Sequence, residues 1–304
     1  MASLQSRISG TIDPPVIDIN NITEPDFENN DTSTQLKKEL KTGVGVNICF
    51  DEVAVIGDIH GTMKFINGYE HILKHNNQVK KIIVMGDHFD PYSDISMDTM
   101  EERFNVFVNC MKHDNRIVSL LGNHDLATYI IKNDSTNRTS FFPSTKNRIR
   151  KLVESNLENS RLMFKYGDYL FSHAGVSSIW VEEIAEPIDF DFKRLNKIGW
   201  NEDELTALVK FYPFDFSGYW NNAHQGPTWL RPYVLVKYPY GDYNQVVGHT
   251  MMCFEDNRDF LLESFGYKTE MDGNFYKAKM ENGKYVWFTD NAGDSEYLVL
   301  DIQK

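Results

Sequence analysis

From residue 53 onward the apolar positions switch between two periods. Residues 53–56 are mostly β-branched and predict a buried strand, residues 63–75 a helix, and residues 81–85 the next strand. Met97, Met100, Phe104, Phe107, Val108 and Met111 recur at helical spacing through 96–112, and 116–121 predicts a third strand. This βαβαβ order predicts an α/β fold with a parallel sheet, whose site gathers where the strands end. Residues 146–157 predict a helix, 162–171 a hairpin turning at Gly167-Asp168, and 245–247 another buried strand. Asn201 suits the N-cap of a helix over 202–210. Residues 275–279, 284–289 and 296–302 alternate like antiparallel strands, with a tight turn at Asn282-Gly283, and imply a second sheet beside the first.

The rhythm is missing from the first 46 residues, which are rich in Asn and Asp and contain Pro14-Pro15. An extended or partly disordered arm is expected over 1–46, with a short amphipathic helix at 35–40, and a single domain over 47–304 because no linker composition interrupts it. A hydrophobic fraction of 41% and 20 Phe supply a sizeable core. No apolar run approaches a membrane span and residues 1–10 lack a signal-type apolar stretch, so a soluble, cytoplasmic protein is expected. The formal charge of -13 speaks against nucleic acid and anionic membranes as partners. Cys49, Cys110 and Cys253 have no CxxC spacing and are expected as buried free thiols.

The chemistry sits where the predicted strands stop. Residues 53–56 end in Gly57, then Asp58-Ile59-His60, and 81–85 end in Gly86-Asp87-His88-Phe89-Asp90. The third strand ends in Gly122-Asn123-His124-Asp125, the hairpin in Ser172-His173-Ala174-Gly175, and the strand at 245–247 in Gly248-His249-Thr250. A carboxylate and an imidazole two residues apart can close on one cation from the same side. One such pair means little; five stretches in order, each at a strand end, carry the reading.

Together these stretches resemble the calcineurin-like metallophosphoesterase superfamily over about residues 53–250 and on into the terminal strands, nearest the branch of Ser/Thr protein phosphatases and symmetrical diadenosine tetraphosphate hydrolases. The resemblance implies an α/β/β/α sandwich of two sheets and two divalent metal ions, manganese first, with Fe, Zn or Ni admitted by the same ligand types. It implies Asp58 and His60 on one metal, Asp87 bridging, and Asn123, His173 and His249 on the other. A bridging hydroxide would attack phosphorus in line, His124 would protonate the leaving group, and Asp90 would orient His124. Two carboxylates against two divalent ions leave about +2, enough to draw a phosphate into an acidic protein. His124 as a fourth nitrogen ligand and Asp90 as a turn cap are the competing readings.

Two positions depart from the pattern. Where relatives with a GHxH motif carry a second metal-binding histidine, this chain has Met251; where the branch places a phosphate-gripping arginine after GDxxD, it has Pro91 and Tyr92. Arg231, in a segment read as a loop bounded by Pro227 and Pro232, is the candidate replacement, with a surface ion pair as the alternative. His71, His75 and His113 read as solvent-facing, His88 as either a group behind the ligands or one pointing away. Tyr219, Trp220, Trp229, Tyr233, Tyr238 and Tyr240 read as core or loop anchors before a nucleobase platform. Asp94, Asp98, Glu101 and Glu102 read as a solvated helix start. The expected function is phosphomonoester hydrolysis of a phosphorylated protein, nucleotide or small molecule. Symmetrical dinucleoside polyphosphate hydrolysis is the alternative, followed by a phosphodiesterase or nuclease and by a silent metal-binding scaffold. Oligomeric state is left open.

Overall fold

The first strand begins earlier than its apolar stretch: β1 spans Phe50–Ile56 and takes in Asp51 and Glu52. The computed structural model describes residues 50–130, 143–156, 159–184, 224–291, 293 and 296–303. The arm expected over 1–46, its helix at 35–40, Cys49, the helix expected over 202–210 with Asn201, and Tyr219 and Trp220 lie outside the described residues.

Parallel to β1 run β2 (Lys81–Val84), β3 (Ile117–Leu120) and the two-residue β4 (Ser160–Arg161). Helices α1 (Lys64–His75) and α2 (Met97–His113) make the crossovers. Ser96 caps α2, its hydroxyl accepting the Thr99 N–H at 3.1 Å. The second sheet is ordered β5 (Met163–Tyr166), β6 (Tyr169–Ser172), β7 (Asn244–Val247), β10 (Tyr285–Phe288), β9 (Phe275–Lys279) and β8 (Thr269–Asp272). Its three central strands β6, β7 and β10 are mutually parallel, so their C-terminal ends share one edge.

The last strand corrects an expectation. β11 (Leu298–Gln303) does not extend the second sheet; it pairs antiparallel with β1 in the first, Val53 opposite Leu300. Its strict alternation turns Leu298, Leu300 and Ile302 inward. There they meet Val53, Val55, Ile83 and Met85 of the first-sheet side and Phe171, Val246 and Trp287 of the second in one apolar layer. Each fully buried Val, Leu or Phe contributes about 1.5–3 kcal/mol relative to exposure, and this layer fixes the sheets face to face. The two faces turned away from it carry helices: Gly68 of α1 sits against Ile56, while Val234 and Leu235 of α6 (Pro232–Lys237) pack on Val286 and Phe288. The fold is therefore the α/β/β/α sandwich of two mixed sheets.

The remaining described helices are α3 (Asn123–Ile130), α4 (Pro143–Glu154), α5 (Ser178–Ile184) and α7 (Glu255–Leu261). Asp98 and Glu101 of the acidic α2 start are paired with Arg148 of α4 as well as solvated. Cys110 is buried as expected, but Cys253, in the turn before α7, is exposed. No helix among the described residues is long and apolar enough to cross a membrane.

Candidate metal centre

Five parallel strand ends converge. Past β1 and β2 the two loops continue side by side, with Ile59, His60 and Gly61 N–H donating to the carbonyls of Gly86, Asp87 and His88 at 3.3, 2.6 and 2.8 Å. This extension of the ladder brings Asp58, His60 and Asp87 together, with candidate ligand atoms within 4.8 Å of one another. Across the sandwich, Gly248 N–H donates to the His173 carbonyl at 2.8 Å, so the turns after β6 and β7 are tied in the same way. Asp87, His173 and His249 form a second group of the same tightness, so the two groups share Asp87.

The approach leaves no room for side chains at two positions. A Cβ on Gly122 would stand 2.0 Å from Asp87 Oδ1, and one on Gly248 would stand 1.9 Å from Asp58 Oδ1. Backbone strain marks the same place: His60, Asp87, Asp90 and His249 have φ of 48°, 48°, 67° and 63°, and they are the left-handed non-glycine residues among the described ones. Each such residue costs on the order of 1–3 kcal/mol and persists only where the surroundings over-determine it.

Hydrogen bonds set which nitrogen of each imidazole faces the centre. His60 Nδ1–H donates to the Asp90 carbonyl at 2.9 Å and His173 Nδ1–H to the Met85 carbonyl at 2.8 Å. A carbonyl only accepts, so Nε2 is the nitrogen that each ring turns toward the carboxylates, 3.8 Å and 3.3 Å from Asp87 Oδ2 for His60 and His173. His173 Nε2 lies 2.9 Å and His249 Nδ1 2.8 Å from Asn123 Oδ1, so three donor atoms meet at one point. Backbone amides brace the carboxylates: His249 N–H donates to Asp58 Oδ2 at 2.9 Å and His124 N–H to Asp87 Oδ1 at 2.8 Å. His124 Nδ1–H donates to Asp90 Oδ2 at 2.5 Å, while its Nε2 lies 4.0 Å from Asp87 Oδ2 and the side chain remains 23% exposed.

The charges fit a cation. Burial opposes ionisation of Asp87, yet His173, His124 and His60 hold its carboxyl far below the usual range. Burial raises Asp58 to about 6, with Asp87 adding to the rise. Burial opposes charge on His173 too, but Asp87 and Asp58 raise it to about 10; His249 is held well below its ordinary value by burial, Arg231 and His173. Protons thus gather on His173 where positive charge is wanted, and Asp58 Oδ1, His60 Nε2 and His249 Nε2 are buried without a hydrogen-bond partner. Carboxylate, amide and imidazole donors with unspent lone pairs fit a pair of divalent ions.

A cavity of about 600 Å³ opens from the Asp58–His60 side, lined among others by Tyr92, Arg231, Met251 and Phe254. Arg231 stands in extended backbone at the end of the expected loop, where it is also the N-cap of α6, and it lies on the cavity wall beside His249. Tyr92, in the stretch where an arginine was sought, packs its ring on His60 at 4.4 Å. Trp229 stands edge-on to His249 at 5.5 Å, beside the centre, and Tyr233 packs on Phe265 at 4.1 Å. His71, His75 and His113 are exposed. His88 is buried, its backbone N–H and Nδ1 both bound to Asp125, which also accepts the Gly122 N–H and so ties the second loop to the third.

Sequence reading missed Asp125 as this tie, Tyr92 as a wall, and Asp290. Asp290 is 3% exposed, lines the cavity after β10, and is raised to about 8 by burial and then by Asp58. Lys64, also buried, donates to the Asn291 carbonyl at 2.6 Å. The signal for Asp290 was present in the rule already used, a polar residue following a parallel strand, but no glycine announces it.

Among solved structures the chain is similar at low identity to phosphatases and a metallophosphoesterase. A cold-active protein-tyrosine phosphatase of a psychrophilic Shewanella is 15% identical over 78% of this chain and 80% of its own, with a TM-score of 0.42. A metallophosphoesterase from Sphaerobacter thermophilus is 13% identical over 83% and 84%, with a TM-score of 0.33. A Saccharomyces cerevisiae Ser/Thr phosphatase with similarity to human PP5 is 14% identical over 84% and 80%, with a TM-score of 0.37. No curated protein sequence matches significantly. The family model for calcineurin-like phosphoesterases matches residues 52–253, a span that runs from β1 past His249 and takes in both ligand groups, and the chain belongs to that family of metal-dependent phosphoesterases.

Proposed function

We propose that this protein hydrolyses phosphomonoesters at a two-metal centre held by Asp58, His60, Asp87, Asn123, His173 and His249. The observation that carries the reading is the shared Asp87: two ligand groups with one carboxylate in common are the arrangement a bridged pair of cations needs. When bound, two divalent ions supply Lewis acidity toward the phosphoryl oxygens and a nucleophile at neutral pH. The chain's own residues do the rest. His124 donates a proton from Nε2, the nitrogen on the side of Asp87, to the leaving oxygen, which suits a ring that Asp87 and Asp90 raise to about 9 against the opposing effect of burial. Asp90 holds that ring through Nδ1 and keeps it charged until the proton is passed on. Arg231, on the cavity wall beside His249, grips the phosphate oxygens in place of the arginine that Pro91 displaces.

Manganese is the proposed metal, since oxygen and imidazole donors suit it and no thiolate is present in either ligand group. A dinucleoside polyphosphate is the second reading. It is favoured by the two aromatic side chains Tyr92 and Phe254, 70% and 54% exposed, on the wall of a cavity roomier than a phosphate requires. The test is hydrolysis of p-nitrophenyl phosphate and bis(p-nitrophenyl) phosphate side by side, with Mn²⁺ restored after chelation, and with diadenosine tetraphosphate as a third substrate. Cleavage of the monoester alone is expected; faster cleavage of the diester would replace the monoesterase reading.

A further inference from the structure

The two halves of the centre are unequally supplied. Beyond the shared Asp87, one half has three donors, Asn123, His173 and His249, and the other only Asp58 and His60. On the poorer side a carboxylate is waiting. Asp290 is 3% exposed and its Oδ1 has no hydrogen-bond partner, a costly state for a buried carboxylate with nothing to do. It lines the same cavity as Asp58, His60 and Met251.

The backbone explains how it comes to be there. β10 runs parallel to β7, so the residue after β10 is delivered to the edge that already holds His249. A Cβ on Gly57 would stand 2.1 Å from the Thr289 carbonyl oxygen, so the residue before Asp58 and the residue before Asp290 are in backbone contact across the two sheets. Thr289 is itself pinned, its N–H and hydroxyl both donating to the Val247 carbonyl, at 2.7 and 2.9 Å. Asp290 therefore leaves a fixed platform beside Asp58. The Lys64 ammonium, bonded to the next carbonyl, stands near enough to offset part of the added negative charge.

We propose that Asp290 is a third carboxylate of the metal centre and completes the Asp58–His60 half on the side open to the cavity. This rests on the two-metal reading above. Its carboxylate lies outside the two tight ligand groups but lines the cavity with Asp58 and His60, so its approach to an ion in that half is from the cavity side. A side chain installed at position 251, on the same cavity wall, can do the same work.

The experiment is metal binding, read without catalysis. Wild type, Asp290→Asn and the double variant Asp290→Asn/Met251→His are stripped with chelator and titrated with Mn²⁺ by calorimetry. Bound metal is counted after gel filtration, and the Mn(II) EPR spectrum separates coupled pairs from isolated ions. Asp290→Asn is expected to keep one ion near wild-type affinity, to bind the other about 10–100-fold more weakly, and to show isolated-ion spectra; the added histidine is expected to bring the coupled pair back. The stripped Asp290→Asn protein is expected to melt near the wild-type temperature, because an amide of the same shape replaces a side chain whose Oδ1 has no hydrogen-bond partner to lose. Two coupled ions at wild-type affinity in Asp290→Asn, a lowered melting temperature of the stripped variant with metal affinity intact, or no recovery in the double variant would each overturn the proposal. Failure of wild type to bind two ions would instead bring down the two-metal reading, and this proposal with it.

Discussion

The two halves of the centre solve the same problem differently. Around Asn123, His173 and His249 the polar atoms satisfy one another at 2.8–2.9 Å, so that half is assembled by its own hydrogen bonds. Around Asp58 and His60, Oδ1 and Nε2 are buried with no partner and face the cavity. One half spends most of its donor atoms on itself and leaves His249 Nε2 unpaired; the other leaves both Asp58 Oδ1 and His60 Nε2 unspent. The difference teaches that a ligand set can be preorganised by internal hydrogen bonds or by backbone alone, and that the second kind depends more on the cation for its stability.

The largest blow to that comparison is to remove what the halves share. Asp87→Asn is expected to reduce phosphoesterase turnover at least about 10³-fold and to empty both halves, read as activity together with bound metal per chain. Loss from one half only would mean that Asp87 does not couple them. His124→Asn is next: about 10²–10⁴-fold slower turnover for poor leaving groups, little change for p-nitrophenyl phosphate, and metal content unaltered. Equal slowing for good and poor leaving groups would remove the acid role.

Proton competition sharpens the contrast. In the stripped protein His124 and His173 have folded pKa values raised to about 9 and 10 against an ordinary value of 6.5. Their stabilisation is complete below pH 6.5 and is lost as pH rises through those values. Asp290, raised to about 8, also binds its proton more tightly when folded, so it works in the same direction as it ionises. The melting temperature of the stripped protein is expected to fall between pH 7 and 10, while the increase produced by saturating Mn²⁺ grows, because the metal replaces the departing protons. A stripped protein whose stability is flat over that range would contradict the charge arrangement. The smallest effect belongs to Arg231→Ala: KM raised about tenfold, the loss of one charge-assisted contact, with kcat and metal content near wild type.

Much of this was legible because the fold repeats one local grammar. Apolar strand, glycine, ligand recurs after β1, β2, β3 and β7, and each case can be read within about nine residues. What escaped depends on neighbours distant in sequence. Nothing in the alternation of β11 says that it pairs with β1, some 240 residues earlier, because period-two patterning reports a buried face and not a partner. Asp290 follows Thr289 without a glycine, and its importance comes from Gly57 and Met251, which only the sandwich brings near. Arg231 was read as a loop residue bounded by Pro227 and Pro232 and does stand in extended backbone; what escaped was that Pro232 starts a helix there, so that Arg231 caps it.

The bare α-carbons at Gly122 and Gly248 act as a caliper. With 2.0 Å and 1.9 Å between an imagined methyl and the carboxylates of Asp87 and Asp58, the strand ends already touch and the jaws can close no further. Opening the Gly248 pair means parting two sheets glued by a shared apolar layer, and opening the Gly122 pair means prying β2 from β3 within one sheet. Ions whose oxygen contacts are about 2.0–2.2 Å suit such jaws, whereas calcium, at about 2.3–2.6 Å and with more ligands to collect, asks for a gape the scaffold resists. Size discrimination is thus written in glycine, at positions that never touch the ion.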